Sequence, residues 1–323
     1  MRLRKVTRDD LTIARQKRGR GFCFHDSDGR LVCDAAFKAR IGELAIPPAW
    51  RNVRVAPWAN AHIQCVGTDE AGRVQYIYHP DWELRRSERK LRRLASLSAV
   101  VPRVRRRVRR DLAAEAGSIE LAQAIAVALI DATGMRIGSQ AYLRQNGTRG
   151  AATLFARDVK VSGKHIEIDF PAKGGKPAHY ELANEPLAKA LQRIMTLPGR
   201  RLLVHREGKK LVALRTRAIN DYLRQISGVD ISAKDFRTLR ASALAAEALA
   251  RIEPGTSDSA RKRQIAGVAR EVSEMLLNTP AISRKSYIAP ALFKLFDSGR
   301  LQQLWSNATG RPEERLHAIL VAS

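Results

Sequence analysis

Between residues 21 and 80 the apolar positions fall in short runs, FCF, RLVCDAAF, HIQCVG and VQYIYH, parted by turn signals such as Asp28-Gly29 and Glu70-Ala71-Gly72. Runs of that length between turn residues predict strands, so this region reads as a small β-rich domain. From Glu83 to Arg110 the pattern becomes arginine-dense and helical, RRSERKLRRL and then VPRVRRRVRR, and Pro102 is expected to break it. This stretch is the expected junction, dividing the chain into a domain of residues 1–88 and another of residues 89–323. Residues 119–130 are apolar nearly all round, the signature of a helix buried within a core rather than lying on a surface. Residues 153–182 alternate in strand fashion, turning at Ser162-Gly163 and again at Lys173-Gly174-Gly175-Lys176 before HYEL, which predicts a small antiparallel sheet. Helices are predicted over about 186–196, 215–226, 235–252, 258–277 and 280–289. The fold class is therefore α+β, with a small β-rich first domain and a larger, mainly helical second one.

Composition narrows the partner. The chain has 323 residues, 45% of them hydrophobic, enough for two packed cores. Lys and Arg number 58 against 32 Asp and Glu, a net charge of +26 that exceeds anything solubility requires. A polyanion is implied, and nucleic acid fits best, since neutralising phosphates releases counterions. Cys23, Cys33 and Cys65 are odd in number and lack CxxC spacing, which suggests neither a disulfide framework nor a zinc site. The first fourteen residues are charged throughout, and the longest apolar stretch, 121–130, is too short to span a bilayer, so a soluble, intracellular protein is expected.

Candidate chemistry gathers at four places. In LNTPAISRKSY, residues 277–287, Thr279 suits a helix N-cap and Pro280 a first helical position. On one continuous helix Asn278 and Tyr287 would lie about two and a half turns apart and face opposite sides. The break at Thr279-Pro280 lets both face one site. Arg136 stands in Gly134-Met135-Arg136-Ile137-Gly138 directly after the buried helix, between glycines that allow a ligand backbone to approach closely. Arg237, in KDFRTLR, borders the apolar seam of its helix, where an arginine commonly snorkels. Lys173 occupies the hairpin turn AKGGK, an ordinary place for a solvated lysine. Taken alone, Tyr287 is a tyrosine that packs against its neighbours; its company is what gives it another role.

In order and spacing, MRIG followed by AYLRQNGTRG, then AKGGK, KDFRTLRAS and NTPAISRKSYI, resemble the type IB DNA topoisomerases of poxviruses and bacteria. The resemblance covers about residues 124–290, and GRVQYIY in the first domain is similar as well. It implies a catalytic set of Arg136, Lys173, Arg237, Asn278 and Tyr287. Tyr287 would attack a DNA phosphodiester to give a 3′-phosphotyrosyl bond, Arg136 and Arg237 would hold the phosphate, and Lys173 would protonate the leaving 5′ oxygen. Asn278 departs from the histidine usual at its position, but an amide can still donate to a phosphate oxygen. The resemblance further implies double-stranded DNA as partner, a clamp formed around it by the two domains, no cofactor or metal for the chemistry, a monomer, and a bacterial nucleoid as location.

Gln75, Tyr76, Tyr78, Tyr142 and Lys234 match family positions near DNA. On a strand Tyr76 and Tyr78 share one face while Gln75 points to the other, and a half-buried strand explains the first three nearly as well. Helix packing is the rival for Tyr142. The arginine run 103–110 fits nonspecific phosphate contact or a solvated face. Two other functions compete. Tyrosine recombinases share the Arg-Lys-Arg-Tyr chemistry, but they usually carry a histidine three residues before the second arginine, where this chain has Lys234. A noncatalytic basic binding protein would not need the five polar residues together.

Overall fold

The computed structural model describes residues 2–322. They form two compact units that divide between Lys90 and Leu91. In the first unit, β1 (Ile13–Arg18), β2 (Gly21–His25), α1 (Ala35–Glu43), β3 (Arg51–Val55), β4 (Ile63–Thr68) and β5 (Val74–Tyr78) build an antiparallel sheet of order β2-β1-β3-β4-β5. Successive side chains of the inner strand β4 feed opposite faces, as strand geometry requires. Cys65 joins Ile13, Phe37, Val53 and Val55 on one face, and Val66 joins Val6, Leu11, Ala56 and Ala61 on the other. The RLVCDAAF run does not form a strand. Asp34 caps Phe37 N–H at 2.6 Å and starts α1, which covers one face of the sheet through Phe37.

Helix α2 (Pro80–Asp111) runs unbroken through Pro102, contrary to the break expected there. Its buried positions Leu94, Leu97, Val101, Val104 and Val108 repeat every three or four residues and keep one continuous seam against the core. That packing offsets the one backbone hydrogen bond a proline cannot make.

The second unit has one large core. Helix α3 (Ile119–Thr133) is buried nearly all round, as its composition predicts, and packs against the later helices Glu185–Met195, Thr216–Ser227 and Ala233–Ala250. Ser118 caps its start, and Gly134, at φ 67°, ends it in the left-handed conformation. After α4 (Gln140–Asn146) comes the three-stranded antiparallel sheet β6 (Val159–Ser162), β7 (His165–Pro171) and β8 (Pro177–Ala183), followed by α5 (Glu185–Met195). A hairpin of β9 (Val204–Glu207) and β10 (Lys210–Ala213) leads into α6 (Thr216–Ser227), α7 (Ala233–Ala250), α8 (Asp258–Leu276) and α9 (Pro280–Ser286). The helix predicted over 280–289 stops at Ser286. Ala289, held extended before a proline, starts α10 (Pro290–Asp297), and α11 (Arg300–Asn307) and α12 (Pro312–Ala322) follow. Helix α7 packs against α3, α8, α10, α11 and α12, so whatever it carries is rigidly held. Among the described residues no helix is long and apolar enough to cross a membrane.

Candidate active site

Arg136 leaves the end of α3 on a segment pinned from several sides. Its carbonyl accepts from Ala151 N–H at 2.9 Å, the Ile137 carbonyl accepts from Ala152 N–H at 2.7 Å, and Thr216 Oγ1 donates to the Gly138 carbonyl at 3.0 Å. The glycines of this region serve the chain's own packing. Gly134 terminates α3, while Gly138 faces Gly150 so closely that a Cβ on Gly150 would lie 2.6 Å from Gly138 N.

Arg237 lies in the first turns of α7, whose start is secured by the Asp235 carboxylate, which accepts from both the N–H and the Oγ of Ser232 at 2.8 Å. It is only 3% exposed, and its guanidinium donates to the carbonyls of Gly134 and Leu276, the latter at 2.9 Å. One arginine thus ties α7 to the segment before Arg136 and to the end of α8. It also reaches Tyr287: its guanidinium carbon lies over the phenol ring, 5.1 Å from the centroid.

The chain reverses between α8 and α9. Leu277 takes a left-handed conformation, Asn278 N–H donates back to Ser273 O at 2.9 Å, and Thr279 caps α9 with Pro280 at its first position. Asn278 Oδ1 accepts from Arg136, and its buried Nδ2 has no partner among the described residues. Tyr287 is the C-cap residue of α9 rather than a residue within it, at φ −127° and ψ −27°. Asn278 therefore meets Arg136, and Tyr287 meets Arg237, across the break that the Thr279-Pro280 pair announced.

A cavity of about 280 Å³ opens here, lined by Tyr287 with Arg136, Arg149, Lys173, Lys234 and Arg237, and by no carboxylate. Arg149 is the lining cation that sequence reasoning missed; its charge is met by the buried Asp158 at 2.7 Å. Lys173 sits exposed on the turn between β7 and β8, where Gly174 and Gly175 have positive φ and Ala172 N–H donates to Lys176 O at 2.8 Å. Tyr142, on α4, lines the cavity too and is 55% exposed, so helix packing does not account for it. Asn278 does not line the cavity and reaches it through Arg136. Burial pushes the Tyr287 phenol up, but the Arg237 charge and hydrogen bond, with Lys234 and Arg136, outweigh it and hold the phenol below its usual value. Burial, and then the neighbouring Arg237 charge, lower Arg136 below the ordinary arginine range.

In the first unit, Tyr76 and Tyr78 share one face of the edge strand β5, their rings stacked with centroids 6.0 Å apart. Tyr76 is 40% exposed, whereas the Gln75 amide is engaged within the protein, donating to Asp69 at 2.8 Å. Among the described residues, Glu167, Asp169 and His179 bring three ligand atoms within 4.8 Å of one another, but none of the three lines the cavity. His179 already bridges Asp169 at 2.8 Å and Glu181 at 3.2 Å.

The family model for the catalytic core of eukaryotic DNA topoisomerase I matches residues 81–295, well over half of the chain. A second, for the N-terminal domain of bacterial DNA topoisomerase IB, matches residues 21–69. The chain belongs to the type IB DNA topoisomerase family. It is 29% identical over 294 residues to DNA topoisomerase 1B of Acanthamoeba polyphaga mimivirus, a similarity covering 88% of each chain. Every residue that lines the cavity lies within the segment matched to the topoisomerase catalytic core. This topoisomerase has a DNA substrate by family, which accounts for the +26 charge.

Proposed function

We propose that this topoisomerase opens one strand of duplex DNA by forming a bond between Tyr287 and a backbone phosphate, releases supercoils, and reseals the strand. The observation that carries the proposal is the contact of Arg237 with the Tyr287 phenol inside a cavity lined by cations without a carboxylate.

In the cleavage step the Tyr287 oxygen bonds to phosphorus and the bond from phosphorus to the 5′ oxygen breaks. The phenolic proton passes to water, and the departing oxygen takes one from the Lys173 ammonium, because an unprotonated alkoxide leaves poorly. A free tyrosine, with its pKa of about 10, is a weak nucleophile near neutrality, and the neighbouring cations correct that. As charge grows on the non-bridging oxygens, Arg136 and Arg237 meet it with forked hydrogen bonds prepared in advance. The unpartnered Asn278 Nδ2 offers a further donor, oriented because Arg136 holds the other end of the amide.

The 3′-phosphotyrosyl linkage conserves the energy of the broken bond, so resealing is the same reaction reversed, with the 5′ hydroxyl as nucleophile. On this basis the chemistry needs neither ATP nor a metal. Tyr142 and Lys234 hold the backbone beside the cavity, and Tyr76, Tyr78 and Gln75 contribute from the first unit. The protein works as a monomer, its two units forming a clamp on the duplex, in a bacterial nucleoid.

The test is relaxation of positively and negatively supercoiled plasmid by the purified protein in EDTA without ATP. Both should relax, and Tyr287→Phe should bind DNA yet relax neither. Dependence on ATP, or appreciable relaxation by Tyr287→Phe, would overturn the proposal. Joining of paired sites without relaxation would favour the recombinase.

A further inference from the structure

The junction of α9 and α10 poses a hydrogen-bonding problem. Tyr287 ends one helix and Ala289 caps the next, while Ile288 and Ala289 between them are fully buried. A buried break of this kind leaves the Tyr287 carbonyl and the Ala289 N–H without the partners a continuous helix would supply. A single side chain satisfies both. Ser242, on α7 and fully buried, donates from Oγ to Tyr287 O at 3.1 Å and accepts from Ala289 N–H at 3.1 Å. The Tyr287 N–H is held separately by Ser283 O at 3.0 Å.

Helix α7 therefore grips Tyr287 at two points. Arg237 lies over the phenol ring and Ser242 meets the main chain. Because one rigid helix makes both contacts, the distance between the guanidinium and the phenol is set by how firmly the tyrosine backbone is seated.

We propose that Ser242 is a positioning residue for the cleavage reaction, fixing the main chain of Tyr287 so that its phenolic oxygen is presented at the phosphate held by Arg136 and Arg237. This rests on the assignment of Tyr287 as nucleophile. Ser242 touches no reacting atom; it acts by removing the freedom of the α9–α10 junction, and attack depends steeply on such alignment. Two consequences separate this role from a merely structural one. Loss of the hydroxyl should slow bond formation without weakening DNA binding. It should also slow cleavage equally on a substrate whose 5′ bridging oxygen is replaced by sulfur, a leaving group that needs no proton, because the defect lies on the nucleophile's side.

The experiment measures single-turnover formation of the covalent adduct, DNA affinity and melting temperature for the full chain and for Ser242→Ala, Ser242→Thr, Ser98→Ala and Tyr287→Phe. Ser98 is another buried helical serine, bonded to Ala95 O at 2.9 Å and to His317 at 3.0 Å, and it serves as the control for losing such a hydroxyl elsewhere in the core. Ser242→Ala is expected to lower the adduct rate roughly 10-fold to 100-fold on both substrates with affinity unchanged, the scale of a modest misalignment. Ser242→Thr, which keeps the hydroxyl, should recover most of that loss, and Ser98→Ala should cleave at the full rate even though it melts earlier. Full-rate cleavage by Ser242→Ala, a loss matched by Ser98→Ala, or recovery on the sulfur substrate would each overturn the inference. If Ser242→Ala does not fold, a Ser242→Thr rate no better than 100-fold below the parent's, at the parent's melting temperature, would do so as well. An adduct persisting in Tyr287→Phe would instead refute the nucleophile assignment, so the two failures are distinguishable.

Discussion

Replacing Gly150 with alanine attacks the cleavage machinery without touching any group that contacts DNA. A Cβ at this position would stand 2.3 Å from the Arg136 carbonyl oxygen, 2.6 Å from Gly138 N and 2.9 Å from Gly138 Cα. Ordinary contact begins at 3.4 Å, and all three obstacles are backbone, so no side chain can swing aside. The segment bearing Arg136 must retreat by about 1 Å, at an overpacking cost of about 1–3 kcal/mol, which is roughly 2–12 °C of melting temperature for a unit of this size. A guanidinium displaced by about 1 Å should slow adduct formation by about 10²-fold. The comparison variant is Gly163→Ala in the turn between β6 and β7. There φ is 57° and nothing lies within 4 Å, so the added methyl strains the backbone by about 1–2 kcal/mol without moving Arg136. Adduct formation in single turnover and calorimetric melting are the two readouts. Both variants should melt earlier, and only Gly150→Ala should cleave slowly. If Gly150→Ala loses stability but cleaves at the parent's rate, the claim that Arg136 acts from a fixed position is wrong.

Lys234→Ala removes one of the charges that lower the Tyr287 phenol, so the alkaline rise of the cleavage rate should move to higher pH; an unmoved limb would exclude Lys234 from the phenol's electrostatics. Asn278→His should introduce a new acid limb, because a neutral imidazole can accept from Arg136 and a protonated one cannot. The rate should fall as the pH drops through about 6.5 or below, where the parent's profile gains nothing from this position. A variant profile identical to the parent's would show that the contact does not matter. Burial raises the Asp111 carboxyl, but hydrogen bonds from Arg107, Tyr222 and Arg110 prevail and hold it below the usual carboxylate range. Its native value lies below the unfolded one, so the stabilisation is complete above about pH 4 and is lost as the pH falls through the native value. Asp111→Asn should therefore flatten the acid side of the melting profile, and a slope equal to the parent's would deny the carboxylate that role.

Much of the fold could be read from residue order because local chemistry and global packing agree. The apolar stretch 119–130 is the buried α3, and Thr279-Pro280 starts α9 as a cap and a first-turn proline should. What escaped lacked the corresponding local signal. Helix α4 buries no side chain, so it has no apolar period; only Ser139 and Gly147 at its ends mark it. The continuity of α2 through Pro102 is decided by a seam of side chains packing at long range, which outweighs proline's local preference. The candidate site shows the same division. Arg136, Lys173, Arg237 and Tyr287 are brought to one cavity, yet nothing in the sequence near Ser242 discloses that its hydroxyl spans a helix junction more than forty residues away. Arg149 was likewise invisible, since an arginine in NGTRG looks solvated until Asp158 is seen beside it.

The most direct measurement is to mix the protein with a duplex labelled at its 3′ and 5′ ends in turn, quench with denaturant, and map the covalent peptide by mass spectrometry. The nucleotide mass should be found on Tyr287, joined through a 3′ phosphate, with a free 5′ hydroxyl on the other end of the break. Attachment to any other residue, or through a 5′ phosphate, or the lack of an adduct under conditions where the plasmid relaxes, would show that this cavity is not where the strand is cut.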